Sequence, residues 1–305
     1  MKRILCIAGP TGAGKTAAAL RLGPRFQSGI INCDSRQLYR AFPVITAQPS
    51  PQERSLCPHV LYGFLETEKR MSAGEWSSLA SDFLPRFALP ILVGGTGLYL
   101  RALFDGIVSI PRVPEELTQR LMAEYLAGSS RELYARLEEA DPAYASRIHP
   151  NDRQRVVRAL AVLESTGHTF SWWHDQTPPP PACDILRIGL KLPLKDLEPL
   201  LYRRIELMLD AGAIEEVKRE WERLPDADAP GWSGIGCHEL LMYLQGTCSL
   251  DEACALWRKN TRAYAKRQLT WFNADPRIHW FHPDELDRLE ACVISWWEQT
   301  ASRTE

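Results

Sequence analysis

The sequence predicts an α/β fold, a parallel sheet core carrying a helical insertion, and three observations predict it. Short apolar runs rich in β-branched residues alternate with helical patterns through the first hundred residues. The first run flows directly into GPTGAGKT, Gly9 to Thr16, a glycine-rich turn of the kind that joins a buried strand to a helix. From Pro114 to Ser171 the pattern changes, and only helical periodicity remains.

Taken in order, residues 3–8 (RILCIA) form a continuous apolar run, as expected of a parallel strand buried on both faces. A helix follows the glycine turn from Lys15 to about Leu22. Residues 29–33 (GIINC) form a second strand that ends at Asp34. A third apolar run spans His59 to Leu65, and a helix capped near Ser72 comes after it. Pro90 to Val93 make another buried strand, leading into Gly94, Gly95, Thr96 and a further helix. The segments ELTQRLMAEYL, RELYARLEEA and DRQRVVRALAVLEST give the insertion its helices. The cluster Pro178 to Pro181 closes it as a stiff connector. A strand returns at Ile185 to Lys191, with helices at 196–223, 235–245 and 250–272. A short strand at 277–281 and an amphipathic helix end the pattern. The expected organisation is a core of residues 1–110 and 182–305 around an insertion at 111–181.

Composition narrows the function classes. Of 305 residues, 45% are hydrophobic and 24% charged, values of a globular chain with a substantial core. The formal net charge of -2 argues against a surface basic all over, and leaves room for a local basic patch. No two of the eight cysteines are spaced as CxxC, and no histidine pair completes a zinc pattern. They read as reduced thiols of a cytoplasmic protein. Lys2 and Arg3 before an apolar run imitate a signal peptide, but the run is too short. No apolar stretch approaches the ~18 residues of a membrane span, so no membrane partner is expected.

GxxxxGK[ST] is a phosphate-binding pattern, the P-loop. Its glycines let backbone N–H groups turn inward around phosphate oxygens. Lys15 adds a point charge, Thr16 offers a hydroxyl to Mg²⁺, and the following helix points its N-terminus at the same anion. The fold is therefore read as P-loop NTPase-like. A nucleotide-hydrolysing member also wants an apolar strand ending in Asp to help hold Mg²⁺. The strand that would fit, PILV, ends in Gly94-Gly95-Thr96 instead. Strand ends on this edge face the ligand crevice, so Asp34 and Thr96 are both expected to look onto the P-loop. For Asp34 alone, a general base, a water-mediated Mg²⁺ contact and a helix cap all remain open.

Together the segments resemble one family, the tRNA dimethylallyltransferases or tRNA isopentenyltransferases. The resemblance runs through GPTGAGKT (9–16), DSRQLYR (34–40), TAQP (46–49), SAGEW (72–76) and LVGGTGLYLRAL (92–103). It continues in ADPAYASRIHPNDRQRVVRAL (140–160), TGHTFS (166–171), AGAIEEVK (211–218), IGCHELLMYLQG (235–246) and TRAYAKRQLTWF (261–272). It implies transfer of a dimethylallyl group from dimethylallyl diphosphate to N6 of adenine 37, beside the anticodon of tRNAs reading codons that start with U. The product would be N6-isopentenyladenosine.

By that resemblance Gly9, Pro10, Thr11, Gly12, Ala13, Gly14, Lys15, Thr16 and Arg204 hold the diphosphate, with Mg²⁺ on Thr16. Thr96 bonds the bridging oxygen, and Asp34 takes the proton from the attacking amine. Asp34, Ser35, Arg36 and Gln37 meet the tRNA, Gln37 at an adenine edge. Gln154, Arg155 and Arg158 in the insertion, and Lys266 and Arg267 near the C-terminus, meet it elsewhere on the anticodon stem-loop. The expected protein is a cytoplasmic monomer, and with no zinc finger after the last segment it looks bacterial or organellar in type.

The charge pattern suits RNA phosphates, although taken alone a charge run is more often a solvated face, and it is the resemblance that points it to RNA. Arg153, Arg155 and Arg158 fall within six residues. Arg258, Lys259, Arg262, Lys266 and Arg267 share one helix, and spacing 259, 262, 266 puts three cations on one face. Trp271 and Phe272 are expected in the core, and His149 reads as a structural hydrogen-bonder. The pairs Trp172-Trp173 and Trp296-Trp297 read as packing. Several positions depart from the family pattern. Ile45 and Gln48 stand where glycine and lysine are usual, Cys237 and His238 where tyrosine and a basic residue are, and Thr118 where a basic residue is. Three alternatives follow. An adenylate isopentenyltransferase needs neither the insertion nor the basic helix. A small-molecule kinase using ATP wants the missing carboxylate. A non-catalytic RNA-binding relative is the third.

Overall fold

The computed structural model describes residues 1–106, 108, 110–176 and 182–299. Six parallel strands form one sheet in the order β3-β2-β4-β1-β5-β6. They are β1 (Lys2–Ala8), β2 (Gly29–Asn32), β3 (His59–Val60), β4 (Pro90–Gly94), β5 (Cys183–Leu190) and β6 (Ile278–Phe281). β1 lies between β4 and β5, with Ala8 opposite both Gly94 and Gly189. Its side chains from Ile4 to Ala8 are buried, which is why its sequence is apolar throughout instead of alternating. β2 pairs with β4 so that Asn32 faces Val93. This register brings the C-terminal ends of β2, β4 and β1 together at one edge.

The helices of this sheet are α1 (Lys15–Leu22), α2 (Pro51–Leu56), α3 (Ala73–Phe83) and α4 (Gly97–Phe104). A second set, α5 (Glu115–Glu124), α6 (Ser130–Ala140), α7 (Pro142–Ala145), α8 (Arg153–Thr166) and α9 (Phe170–Asp175), follows. After β5 come α10 (Leu194–Asp210), α11 (Ala213–Arg223), α12 (Cys237–Leu244), α13 (Leu250–Asn273) and, after β6, α14 (Leu286–Gln299). The chain divides into two compact units, Met1–Leu103 with Ala182–Glu305, and Phe104–Pro181. Each has its own apolar cluster. Leu5, Ile7, Leu22, Ile91 and Ile188 centre the first. Leu121, Leu133, Leu137, Val156 and Leu160 centre the second.

Several expectations shift. The run from His59 to Leu65 is a strand only at His59–Val60, because Leu61 takes a left-handed backbone (φ 63°). Leu65 re-enters pairing through a lone bridge to Tyr39. The helix expected over 196–223 is two, α10 and α11, broken where Gly212 adopts φ 94°. Helix α2 was not anticipated. Its signal was present, since Ser50 and Glu53 form a capping box with Pro51 in the first turn. Within the insertion, a π turn at Tyr125–Ser129 joins α5 to α6. Asp141 ties α7 to α9 by accepting from Tyr144 N (3.1 Å) and Ser171 N (2.8 Å). The Pro178 to Pro181 connector lies outside the described residues. No helix among the described residues is long and apolar enough to cross a membrane.

Candidate active site

β1 delivers the chain to Gly9, and α1 begins at Lys15 behind the left-handed Gly14 (φ 81°). No side chain caps this helix, so its first amides are left to an incoming anion. Lys15 is half-buried, and its Nζ donates to Pro10 O at 2.7 Å. Burial pushes the Lys15 pKa down from 10.5 to about 8 against the opposing pull of Asp34, with the Arg204 charge assisting the drop. Thr16 lies exposed one residue into the helix.

The end of β4 explains the missing carboxylate. A Cβ on Gly94 would stand 2.0 Å from Cys33 O, and one on Gly95 would stand 2.0 Å from Gln268 Nε2. The tip of β2 and helix α13 approach this turn so closely that no side chain fits. The carboxylate of the site comes instead from Asp34, one strand over. Its backbone is gripped by the buried Asn32 side chain. Asn32 Oδ1 accepts from Asp34 N (2.9 Å), and Asn32 Nδ2 donates to Asp34 O (3.0 Å) and Leu61 O (2.9 Å). Asp34 Oδ1 accepts from Arg36 N at 2.9 Å. Thr96 is locked to the same loop. Its N–H donates to Cys33 O (3.1 Å), and its hydroxyl accepts from Ser35 N (3.0 Å).

Arg204 projects from α10, half-buried, and burial lowers its pKa while Asp34 pulls it back up. Lys15 and Arg204 both feel the Asp34 charge, and α10 packs on the P-loop, where a Cβ on Gly12 would stand 2.7 Å from Leu201 Cδ2. Two cations held close without enough acid to neutralise them form an anion site. The structure thus brings the P-loop, Asp34, Thr96 and Arg204 together.

Other predicted residues carry structural duties as well. Gln37 Nε2 donates to Thr46 O and Ala47 O, each at 2.9 Å, and so braces that turn with both of its amide hydrogens. Its Oε1 is the atom left for an incoming group. Arg36 Nη1 donates to Ser233 Oγ at 2.9 Å. Gln48 stands where the family has lysine, and its Nε2 donates to Tyr39 O at 2.8 Å. Ile45 is buried, with its N–H held by Glu216 Oε2 at 3.0 Å. Cys237 is buried and His238 exposed.

Helix α13 was read for its cations, and its inner face turns out to matter equally. Gln268 is buried at 5% exposure among basic neighbours. Its Oε1 accepts from Thr11 N and its Nε2 donates to Gly95 O, both at 2.9 Å. Tyr264, one turn earlier, hydrogen-bonds Thr96, and burial raises its pKa. On the outer face Lys266 and Arg267 are exposed, whereas Arg262 pairs with Glu198 (2.7 Å) and Arg258 with Glu206 (3.2 Å). The stripe at 259, 262 and 266 is thus partly spent on α10. Trp271, expected in the core, is 44% exposed in the last turn of α13, with only its Nε1 edge against Gly97. Phe272 is buried as expected.

In the insertion unit, Gln154, Arg155 and Arg158 are exposed on α8. Asp152 caps that helix by accepting from Arg155 N (3.2 Å) and pairs with the Arg155 guanidinium (3.2 Å). An open cleft of about 820 Å³ lies within this unit, lined by Tyr125, His149, Asn151, Arg153 and Gln154. His149 Nδ1 accepts from Asn151 N at 3.1 Å, the structural role read from the sequence.

Known proteins resemble this chain over nearly its full length. The profile of the family described as IPP transferase matches residues 37–275. The tRNA dimethylallyltransferase of Nitratidesulfovibrio vulgaris (strain DSM 19637 / Miyazaki F) is 54% identical, covering 96% of this chain and 93% of that protein. The protein of the same name from Maridesulfovibrio salexigens is 52% identical, covering 96% and 97%. The solved full-length tRNA isopentenylpyrophosphate transferase of Bacillus halodurans superposes with a TM-score of 0.73 at 29% identity, covering 100% of this chain and 99% of that one. A eukaryotic dimethylallyltransferase, captured acting on tRNA, superposes with a TM-score of 0.79 at 27% identity over 93% of this chain and 74% of its own.

Proposed function

The chain belongs to the IPP transferase family, and on that premise we propose that it transfers a dimethylallyl group from dimethylallyl diphosphate to N6 of adenine 37 in tRNA. The observation that carries this reading is the convergence of the P-loop, Asp34 and Thr96 at one sheet edge, with glycine where a nucleotidase keeps its carboxylate. That arrangement suits a diphosphate as leaving group better than a nucleotide as fuel.

In the proposed reaction the allylic C1–O bond breaks, the N6–C1 bond forms, and the electron pair leaves on the diphosphate. The P-loop amides of Gly12 and of Gly14 to Thr16, with Lys15 and Arg204, stabilise that charge. The Thr96 hydroxyl donates toward the bridging oxygen. Asp34 accepts the proton that N6 loses. Gln37 offers Oε1 to the adenine edge, with Ser35 and Arg36 beside it. The described residues hold no cluster of three or more His, Cys, Asp or Glu side chains suited to a metal. Mg²⁺ takes one or two protein oxygens and completes its shell from phosphate and water. The exposed Thr16 hydroxyl fits that demand, and the ion would neutralise diphosphate charge.

For the tRNA, the proposal assigns Gln154, Arg155 and Arg158 of the insertion and Lys266 and Arg267 of α13 to the anticodon stem-loop. The protein would act as a cytoplasmic monomer. The test is direct. Incubate the chain with Mg²⁺, unmodified tRNA and dimethylallyl diphosphate, digest the tRNA, and weigh its nucleosides. Isopentenyladenosine from position 37 is the expected product. Product with AMP but none with tRNA, or phosphate release from ATP with neither, would overturn the reading.

A further inference from the structure

We infer that Gln268 is a positioning residue for the diphosphate site, fixing the P-loop and the Thr96 turn to each other from helix α13. The inference deepens the reading of the P-loop as a diphosphate cradle and rests on it. Three observations carry it.

The Gln268 amide makes two oppositely polarised bonds to the two loops. Oε1 accepts from Thr11 N inside the P-loop, and Nε2 donates to Gly95 O beside Thr96, each at 2.9 Å. A carboxamide supplies an acceptor and a donor in one plane at that span, and carries no charge in doing so. The side chain is also buried at 5% exposure, so each bond lost leaves an unpaired backbone group away from water. Finally, a Cβ on Gly95 would stand 2.0 Å from Nε2, so the chain keeps glycine there for this amide to approach.

The geometry has a consequence for the ligand. Thr11 N is committed to Gln268 and Ala13 N to Pro10 O, so the amides left to face phosphate are that of Gly12 and those from Gly14 to Thr16. Gln268 orients that set by holding the first peptide of the turn. It also holds the peptide before Thr96, whose hydroxyl is already fixed by Ser35 N. Gln268 itself touches no substrate. Its effect reaches the diphosphate through Thr11 and Gly95.

The test measures binding of magnesium pyrophosphate by calorimetry, transfer kinetics, and tRNA affinity by filter binding in Gln268→Met and Gln268→Glu. Methionine keeps the volume and removes both bonds. Pyrophosphate affinity is expected to weaken by about tenfold or more, with kcat falling alongside and tRNA affinity within about twofold of the parent. Glutamate keeps the acceptor and loses the donor to Gly95 O. Protonation of this carboxyl as pH falls restores the donor. The deficit of this variant relative to the parent at the same pH should therefore narrow as pH falls. Should Gln268→Met fail to fold, as circular dichroism would reveal, Gln268→Glu alone decides. Parental pyrophosphate affinity in a folded variant, or a deficit that does not change with pH in Gln268→Glu, sinks the inference while leaving the diphosphate cradle standing. Absence of pyrophosphate binding by the parent removes the cradle and the inference together.

Discussion

At the scale of single residues, Asp34 and Lys15 make separable predictions. The Asp34 backbone is held by Asn32 whatever side chain it carries. Asp34→Ala should therefore lower transfer by about 10³-fold or more through loss of the base, while tRNA binding by filter assay stays close to the parent. Unchanged turnover would remove Asp34 from the mechanism. Lys15 carries its charge at a cost, since burial brings its pKa to about 8 from 10.5. A lysine whose folded pKa is lowered binds fewer protons folded than unfolded between pH 8 and 10.5. The strain it adds is full at neutral pH and fades as pH rises through that window. Lys15→Met should thus raise the melting temperature of the ligand-free chain at pH 7, with the gain shrinking toward pH 10. It should also abolish pyrophosphate binding. A lower melting temperature at pH 7 would show that the bond to Pro10 O outweighs the buried charge. The P-loop, Asp34 and Thr96 were legible in the sequence because strand ends in a parallel sheet face one edge. Gln268 was not, because its role exists only where α13 comes against Gly95, and nothing local in TRAYAKRQLTWF marks one buried amide among cations.

At the scale of elements, α13 shows how far periodicity carries. Its limits and its basic face were readable, expected over 250–272 and found at Leu250–Asn273. Which cations remain for RNA was not, because that depends on the acids of α10. Arg262 is held by Glu198 at 2.7 Å, whereas Lys266 is exposed on the same helix. Lys266→Ala should reduce tRNA affinity and lower the salt slope of log K by about one. Arg262→Ala should change both less, since its charge is already partly satisfied. Equal losses in the two variants, measured by titration across salt concentrations, would mean that RNA displaces Glu198 and recruits Arg262. The misread segments share one cause. A left-handed residue ends a regular element without changing its hydrophobic pattern. Leu61 does so at φ 63° in the apolar run after His59, and Gly212 at φ 94° between α10 and α11. Apolar spacing carries no sign of φ, so the pattern reads straight across both breaks.

At the scale of the whole molecule, the two units keep separate apolar clusters, one around Ile7, Ile91 and Ile188, the other around Leu133, Val156 and Leu160. A cavity made in one should therefore weaken that unit first. Leu160 is 1% exposed on α8, the helix that carries Gln154, Arg155 and Arg158 on its outer face. Leu160→Ala removes three buried carbons and should cost about 2–5 kcal/mol in the insertion. Hydrogen exchange should then speed up in α5, α6 and α8 while the amides of β1 and β4 keep their protection. Magnesium pyrophosphate should bind as in the parent, since the P-loop belongs to the other unit. Affinity for tRNA should fall, because the arginines of α8 are displayed only by a formed helix. This pattern would separate RNA recognition from diphosphate binding within one chain. Loss of protection in β1 alongside α8 would instead show that the insertion and the sheet unfold as one body, and that the acceptor and donor sites stand or fall together.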